Sequence, residues 1–175
     1  LYSVAISPDG RFIAVGNTVV YLCDLEAAEP VSVLHISECN VESLAFSADG
    51  KHIAAGARDE EGCLLALDGR VEKRIPCASR VESLGFTPGK GLLLLPNRRV
   101  IKSDGIVQLW HDDLSGVQEE YKVDGSVSVA RSWPGEKYIL AGVLRKSQAS
   151  LVDLESGQSV ATTNPSRGNL TVVAI

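Results

Sequence analysis

The hydrophobic positions of the chain fall in short runs that recur. Ser3-Val4-Ala5-Ile6 alternates, Ser7-Pro8-Asp9-Gly10 is polar, and Phe12-Ile13-Ala14-Val15 is nearly all apolar. Forty residues on, Ser43-Leu44-Ala45-Phe46, Ser47-Ala48-Asp49-Gly50 and Ile53-Ala54-Ala55 repeat that order. Alternation over four residues predicts a strand with one buried face. A short continuous apolar run predicts a strand covered on both faces, since it is broken too soon for a helix. The polar segment between them predicts a tight turn, where Gly supplies a positive φ and Asp bonds its own backbone.

The pattern continues. Ser83-Leu84-Gly85-Phe86-Thr87 with Leu92–Leu95 makes a third copy, without the Asp-Gly pair. Ser128-Val129-Ala130-Arg131-Ser132 with Tyr138-Ile139-Leu140-Ala141-Gly142 makes a fourth, with one extra residue before its second run. Leu170–Ile175 reads as the start of a fifth. A third strand recurs at Val20–Asp24, Cys63–Asp68, Ile106–His111 and Ser150–Asp153, and a more polar fourth follows, as at Val31–Leu34 and Val71–Ile75.

Four short antiparallel strands at a period near 40 predict propeller blades, because a lone four-stranded sheet cannot cover both its faces and stacked blades can. The expected fold is all-β: about four blades plus the first strand of a fifth. The units span 1–40, 41–80, 81–126 and 127–169, with 170–175 left over. With no methionine and an opening in mid-strand, the chain reads as a piece of a larger propeller.

Composition narrows the function. A net charge of -5 argues against general nucleic-acid binding, and no apolar run is long enough to span a membrane as a helix. The four cysteines lie at Cys23, Cys39, Cys63 and Cys77, with no C-x-x-C pair and no compact Cys/His cluster. They read as free thiols, and no metal site is expected.

The Ser-Pro-Asp-Gly turn, its Ser-Ala-Asp-Gly copy and Leu151-Val152-Asp153-Leu154-Glu155-Ser156-Gly157 resemble the WD-repeat family of β-propellers. Leu109-Trp110-His111 stands at the Trp-Asp position with His in place of Asp, and Leu22-Cys23-Asp24 keeps the Asp without the Trp. The Gly-His pair that precedes the first strand in that family is missing, so its Asp-His-Ser-Trp network does not carry over. The resemblance implies a non-catalytic scaffold presenting rim loops to other proteins in a larger complex. It also implies the cytoplasm or nucleus, in line with free cysteines and the lack of a signal-peptide pattern.

Candidate chemistry is sparse. His35, His52 and His111 fall at unrelated positions, and no nucleophile elbow, phosphate loop or zinc-protease motif occurs. No catalytic residue and no cofactor are expected. Ser7, Ser47, Thr87 and Ser132 recur as turn hydroxyls rather than nucleophiles. Asp59-Glu60-Glu61, Asp112-Asp113 and Glu119-Glu120 read as solvated acids. The basic residues are more informative. The resemblance places Arg58, Arg80, Arg98, Arg99, Lys102, Arg145 and Lys146 in loops of a common rim, where Arg suits acidic or phosphorylated protein segments. An enzymatic propeller of the lactonase, quinoprotein or peptidase-associated type is the alternative, and a phosphoinositide-binding propeller is another. The inner strands, however, read as a dry Ala/Val/Ile/Leu filling. Arg131 stands out, at the place of Ile6, Phe46 and Phe86. A bare Arg in a blade core is costly. Either the register slips by one there, which the extra residue favours, or Arg131 turns toward the rim or a partner.

Overall fold

The computed structural model describes residues 3–27, 29–34, 40–58, 61–77, 79–87, 89–96, 105–111, 114–125, 127–132, 137–143 and 148–163. All sixteen elements among them are strands. Two compact units divide the chain, Leu1–Phe86 and Thr87–Ile175.

In the first unit, β1 (Ser3–Ile6), β2 (Phe12–Gly16), β3 (Val20–Asp24) and β4 (Glu29–Leu34) form a sheet in chain order. A second sheet follows the same order with β5 (Val41–Phe46), β6 (His52–Ala57), β7 (Glu61–Ala66) and β8 (Val71–Pro76). Neighbouring strands are antiparallel throughout. The back of the first sheet packs on the front of the second. Ala14, Val20 and Leu22 meet Leu44, Phe46, Ile53, Ala55, Cys63 and Leu65 in one buried cluster. Leu22, Ile53 and Leu65 are fully buried, and each such side chain contributes roughly 1.5–3 kcal/mol of transfer free energy. The approach is close. A Cβ on Gly16 would lie 2.9 Å from a methyl of Val41, and one on Gly56 only 2.5 Å from a methyl of Val81.

A third sheet has the order β12-β11-β10-β9, from β9 (Val81–Thr87), β10 (Gly91–Pro96), β11 (Gly105–Trp110) and β12 (Val117–Val123). The fourth comprises β13 (Val127–Ser132), β14 (Tyr138–Val143), β15 (Gln148–Asp153) and β16 (Ser159–Thr163), again in chain order. The core of the second unit includes Leu93, Leu95, Val107 and Leu109 against Val127, Ala130, Ile139 and Val152. Tyr121 joins it. Its hydroxyl donates to Glu119 and lies 3.2 Å from the carbonyl of Leu154, across from one sheet to the next. Burial, then the Glu119 carboxylate, pushes the Tyr121 phenol well above its usual pKa.

The register resolves the Arg131 question in favour of the slip. A bulge separates Val127 from Val129, as another separates Val41 from Ser43. Beyond it Arg131 pairs with Leu140 and Ser132 with Ile139, as Ala45 pairs with Ala54 and Phe46 with Ile53. Arg131 therefore matches Ala5, Ala45 and Gly85, not the large apolar position. The apparent extra residue vanishes with the slip, since Ser132 to Tyr138 now spans the same distance as Phe46 to His52. This also corrects Ser132, which stands at the place of Phe46 and not with the turn hydroxyls. Arg131 is partly buried, its guanidinium 2.9 Å from the carbonyl of Ala130, and burial lowers its pKa. The proposed fifth start, Leu170–Ile175, lies outside the described residues.

Candidate functional site

The recurrent turns are built by the residues that announced them. The Ser7 hydroxyl donates to Asp9 Oδ1 at 2.5 Å and accepts the N–H of Phe12 at 2.8 Å. Asp9 also accepts the N–H of Arg11 at 3.0 Å. Ser47 and Asp49 repeat the set, with His52 and Lys51 as the two donors. Hydrogen bonds from Ser7 and Ser47 hold the two carboxyls below their usual pKa. Gly10 and Gly50 take φ of 75° and 69°, as that turn requires. These serine hydroxyls are engaged in holding the turns.

The third strand ends on a second recurrent device. Asp24 Oδ1 accepts the N–H groups of Glu26 and Ala27 at 2.9 and 3.4 Å, and its Oδ2 accepts Arg11 Nη2 at 2.8 Å. Asp153 caps likewise in the fourth sheet, accepting Glu155 N–H at 2.8 Å and Ser156 N–H at 2.9 Å, with Lys137 Nζ 3.8 Å from its Oδ2 as an ion-pair partner. Arg11 chiefly lowers the pKa of Asp24, whereas the Ser156 amide chiefly lowers that of Asp153. The device ties the turn after the third strand to the turn before the second.

Two of the seven rim candidates lie among the described residues, and they are brought together. Arg58 Nε is 3.5 Å from Glu42 Oε1, and Arg80 Nη2 is 3.8 Å from the other oxygen of Glu42 and 3.1 Å from Glu82 Oε1. Arg80 stands just before β9, and Arg58 just after β6. Both carboxylates come from the second residue of a first strand. The duplicated Val41-Glu42-Ser43-Leu44 and Val81-Glu82-Ser83-Leu84 was a readable sign of them that attention to basic residues passed over. Arg58 and Arg80 are thus cations already engaged with acids. Arg98, Arg99, Lys102, Arg145 and Lys146 lie outside the described residues.

The remaining candidates are plain. His52 Nε2 lies 3.1 Å from Glu72 in a partly exposed pair, and Trp110 is buried with its Nε1 3.3 Å from Gln108 Oε1. His35 and the pair Asp112-Asp113 lie outside the described residues, as do Asp59 and Glu60. Cys23, Cys63 and Cys77 are not disulfide-bonded. Among the described residues no three His, Cys, Asp or Glu side chains converge as metal ligands, and no helix is long and apolar enough to cross a membrane.

Comparison with known proteins agrees with this geometry. The family described as WD domain, G-beta repeat, matches residues 28–61. THO complex subunit 3 of Arabidopsis thaliana is 30% identical over 100 residues, 53% of this chain and 30% of that protein. The Cps50 (Swd1) β-propeller domain of Myceliophteria thermophila superposes with a TM-score of 0.81 at 14% identity, over 99% of this chain and 60% of that one. Together these likenesses support a WD-repeat β-propeller. Hydrazine synthase of Kuenenia stuttgartiensis also superposes, with a TM-score of 0.80 at 14% identity, over 92% of this chain and 48% of that one. At such identities the two solved structures share the fold with this chain and nothing more. The chain spans about a third of the curated relative and about half to three-fifths of the two structures.

In WD-repeat terms, Asp24 and Asp153 are the aspartates of the Trp-Asp position. They act here as turn caps and ion-pair partners, a structural task.

Proposed function

We propose that the protein is a non-catalytic scaffold that holds other proteins in a larger complex. The observation that carries this reading is the 30% identity, over 100 residues, to a named subunit of a complex, in a chain whose residues 28–61 match a WD repeat. The site chemistry supports it: the repeated Ser and Asp side chains are spent on turns and caps. The hydrazine synthase likeness is one of fold alone and does not favour catalysis.

The finer reading is that basic loop residues contact acidic or phosphorylated segments of the partners. Arg58 and Arg80 already face Glu42 and Glu82, so a partner carboxylate must displace or share those pairs. Arg98, Arg99, Lys102, Arg145 and Lys146 are then the stronger attractors, and Arg58 and Arg80 shape the loop ends. The complex works in the cytoplasm or nucleus. Replacing Arg98, Arg99 and Lys102 together by Glu tests this in a quantitative pull-down from the native cell. Recovery of partner proteins falls several-fold while the melting temperature holds. Unchanged recovery removes this rim from the reading.

A further inference from the structure

Asp-Gly pairs recur in the turns: Asp9-Gly10, Asp49-Gly50, Asp68-Gly69 and Asp124-Gly125 lie among the described residues. This dipeptide has a chemistry of its own. The glycine nitrogen can attack the side-chain carbonyl carbon of the Asp, because glycine has no side chain to shield it. A bond forms between that nitrogen and Cγ, and the carboxyl hydroxyl leaves with the amide proton as water. A second water then opens the cyclic imide. Opening at the side-chain carbonyl restores Asp. Opening at the main-chain carbonyl gives isoaspartate, with the chain routed through the side chain and lengthened by a methylene.

Three of these pairs are locked against the first step. Gly10 N–H donates to the Ser7 carbonyl at 2.9 Å, Gly50 N–H to the Ser47 carbonyl at 2.9 Å, and Gly69 N–H to the Ala66 carbonyl at 3.0 Å. Each nitrogen must break that bond and leave its turn before it can attack. Gly125 differs. It follows β12 at φ 100°, and its N–H has no acceptor among the described residues. Asp124 beside it is exposed, so water reaches the pair.

We propose that Asp124-Gly125 is a site of spontaneous isoaspartate formation. The product is a substrate for an isoaspartyl carboxyl methyltransferase, which transfers the sulfonium methyl of S-adenosylmethionine to the freed main-chain carboxylate. The change reaches the fold because the loop has no slack. The Gly125 carbonyl accepts Gly105 N–H at 2.7 Å, and a Cβ on Gly105 would lie 2.8 Å from that oxygen and 2.4 Å from a methyl of Val127. Val123 and Val127, on either side of the pair, are both buried in the core of the second unit. An added methylene between two anchored valines displaces the Gly125 carbonyl and loosens the start of β13.

The test ages the full chain in warm neutral buffer and maps isoaspartate by peptide mass spectrometry, with methylation by a purified isoaspartyl methyltransferase as the second readout. Isoaspartate at 124 should exceed that at 9, 49 and 68 several-fold, and its peptide should take up the labelled methyl group. Ageing in denaturant should raise the other three toward the level at 124, since their locks belong to the fold. Aged protein should melt below fresh protein, and Asp124→Glu, which does not close the small ring, should largely abolish that fall. Accumulation at 124 no greater than at the locked pairs overturns the proposal, and so does a bias toward 124 that persists in denaturant. An ageing loss that Asp124→Glu leaves unchanged overturns the effect on the fold.

Discussion

The ends of the third strands in the first and third sheets occupy the same register and are solved differently. In the first, Asp24 faces Phe12 across the ladder, caps two turn amides and binds Arg11. In the third, His111 follows a β11 whose Trp110 pairs with Leu92, and no carboxylate stands at that place. The turn is held by backbone instead. Leu114 N–H donates to the His111 carbonyl at 2.8 Å with Leu114 at φ 54°, a conformation a branched side chain seldom takes. The strand opposite must also give way. Gly91 sits at φ 123°, and a Cβ there would lie 1.9 Å from the carbonyl oxygen of Trp110. A lost side-chain cap has been replaced by two special backbone positions. Degenerate repeats keep their shape by such exchanges, and the exchanged parts become the intolerant ones.

The largest effect should therefore come at Gly91. Gly91→Ala meets backbone rather than a yielding side chain, at a φ that L residues avoid. The expected loss is about 2–4 kcal/mol, or roughly 5–15 °C in Tm for a chain of this size. Phe12 occupies the matching place in the first sheet, so Phe12→Ala should lose burial without strain. If Gly91→Ala melts with the wild type, backbone has not replaced the cap.

Next come the aspartates. Asp24→Ala and Asp153→Ala should each lower Tm by a few degrees, less than Gly91→Ala. Asparagine separates the two. Asp153 relies on neutral amide donors, so Asp153→Asn should keep most of the stability. Asp24 relies on Arg11, so Asp24→Asn should lose most of what alanine loses. Equal losses on differential scanning calorimetry would make the two caps one device rather than two.

Acid reads the same contrast. Both carboxyls have folded pKa values below their usual ones, so their stabilisation is complete above the usual aspartate value and is lost as pH falls through the folded one. The Tm gap between wild type and Asp24→Asn should be full near pH 7 and shrink below about pH 4. A gap independent of pH would mean that Arg11 contributes nothing through charge.

The sequence disclosed the strands because their apolar period is two and their turns carry Ser, Asp and Gly at fixed offsets. It misplaced Ser132 because residue type aligns Ser128 with Ser43, whereas the pairing aligns Val127 with Val41 and Val129 with Ser43, the same bulge standing in both strands. It found Arg58 and Arg80 as cations and passed over Glu42 and Glu82. An ion pair needs two loop ends to meet, and only the folded chain brings residues 42, 58 and 80 together.

The smallest effect should come from putting a carboxylate back where the second sheet lacks one. Ala66 faces His52 as Asp24 faces Phe12, and Lys51 stands where Arg11 does. Ala66→Asp therefore recreates the residue and its cationic neighbour. It does not recreate the unsatisfied amides. Ala66 N–H already donates to the Arg70 carbonyl at 2.9 Å, Gly69 N–H to the Ala66 carbonyl at 3.0 Å, and Arg70 N–H to Asp68 Oδ1 at 3.0 Å. With the Gly69 amide, the counterpart of the Ala27 donor, already taken, the new carboxylate has chiefly an exposed lysine to bind, an interaction of about 0.2–1 kcal/mol at most. The expected change in Tm is close to zero. A clear rise would show that the Trp-Asp position stabilises its blade through charge, and that capping at Asp24 and Asp153 is secondary.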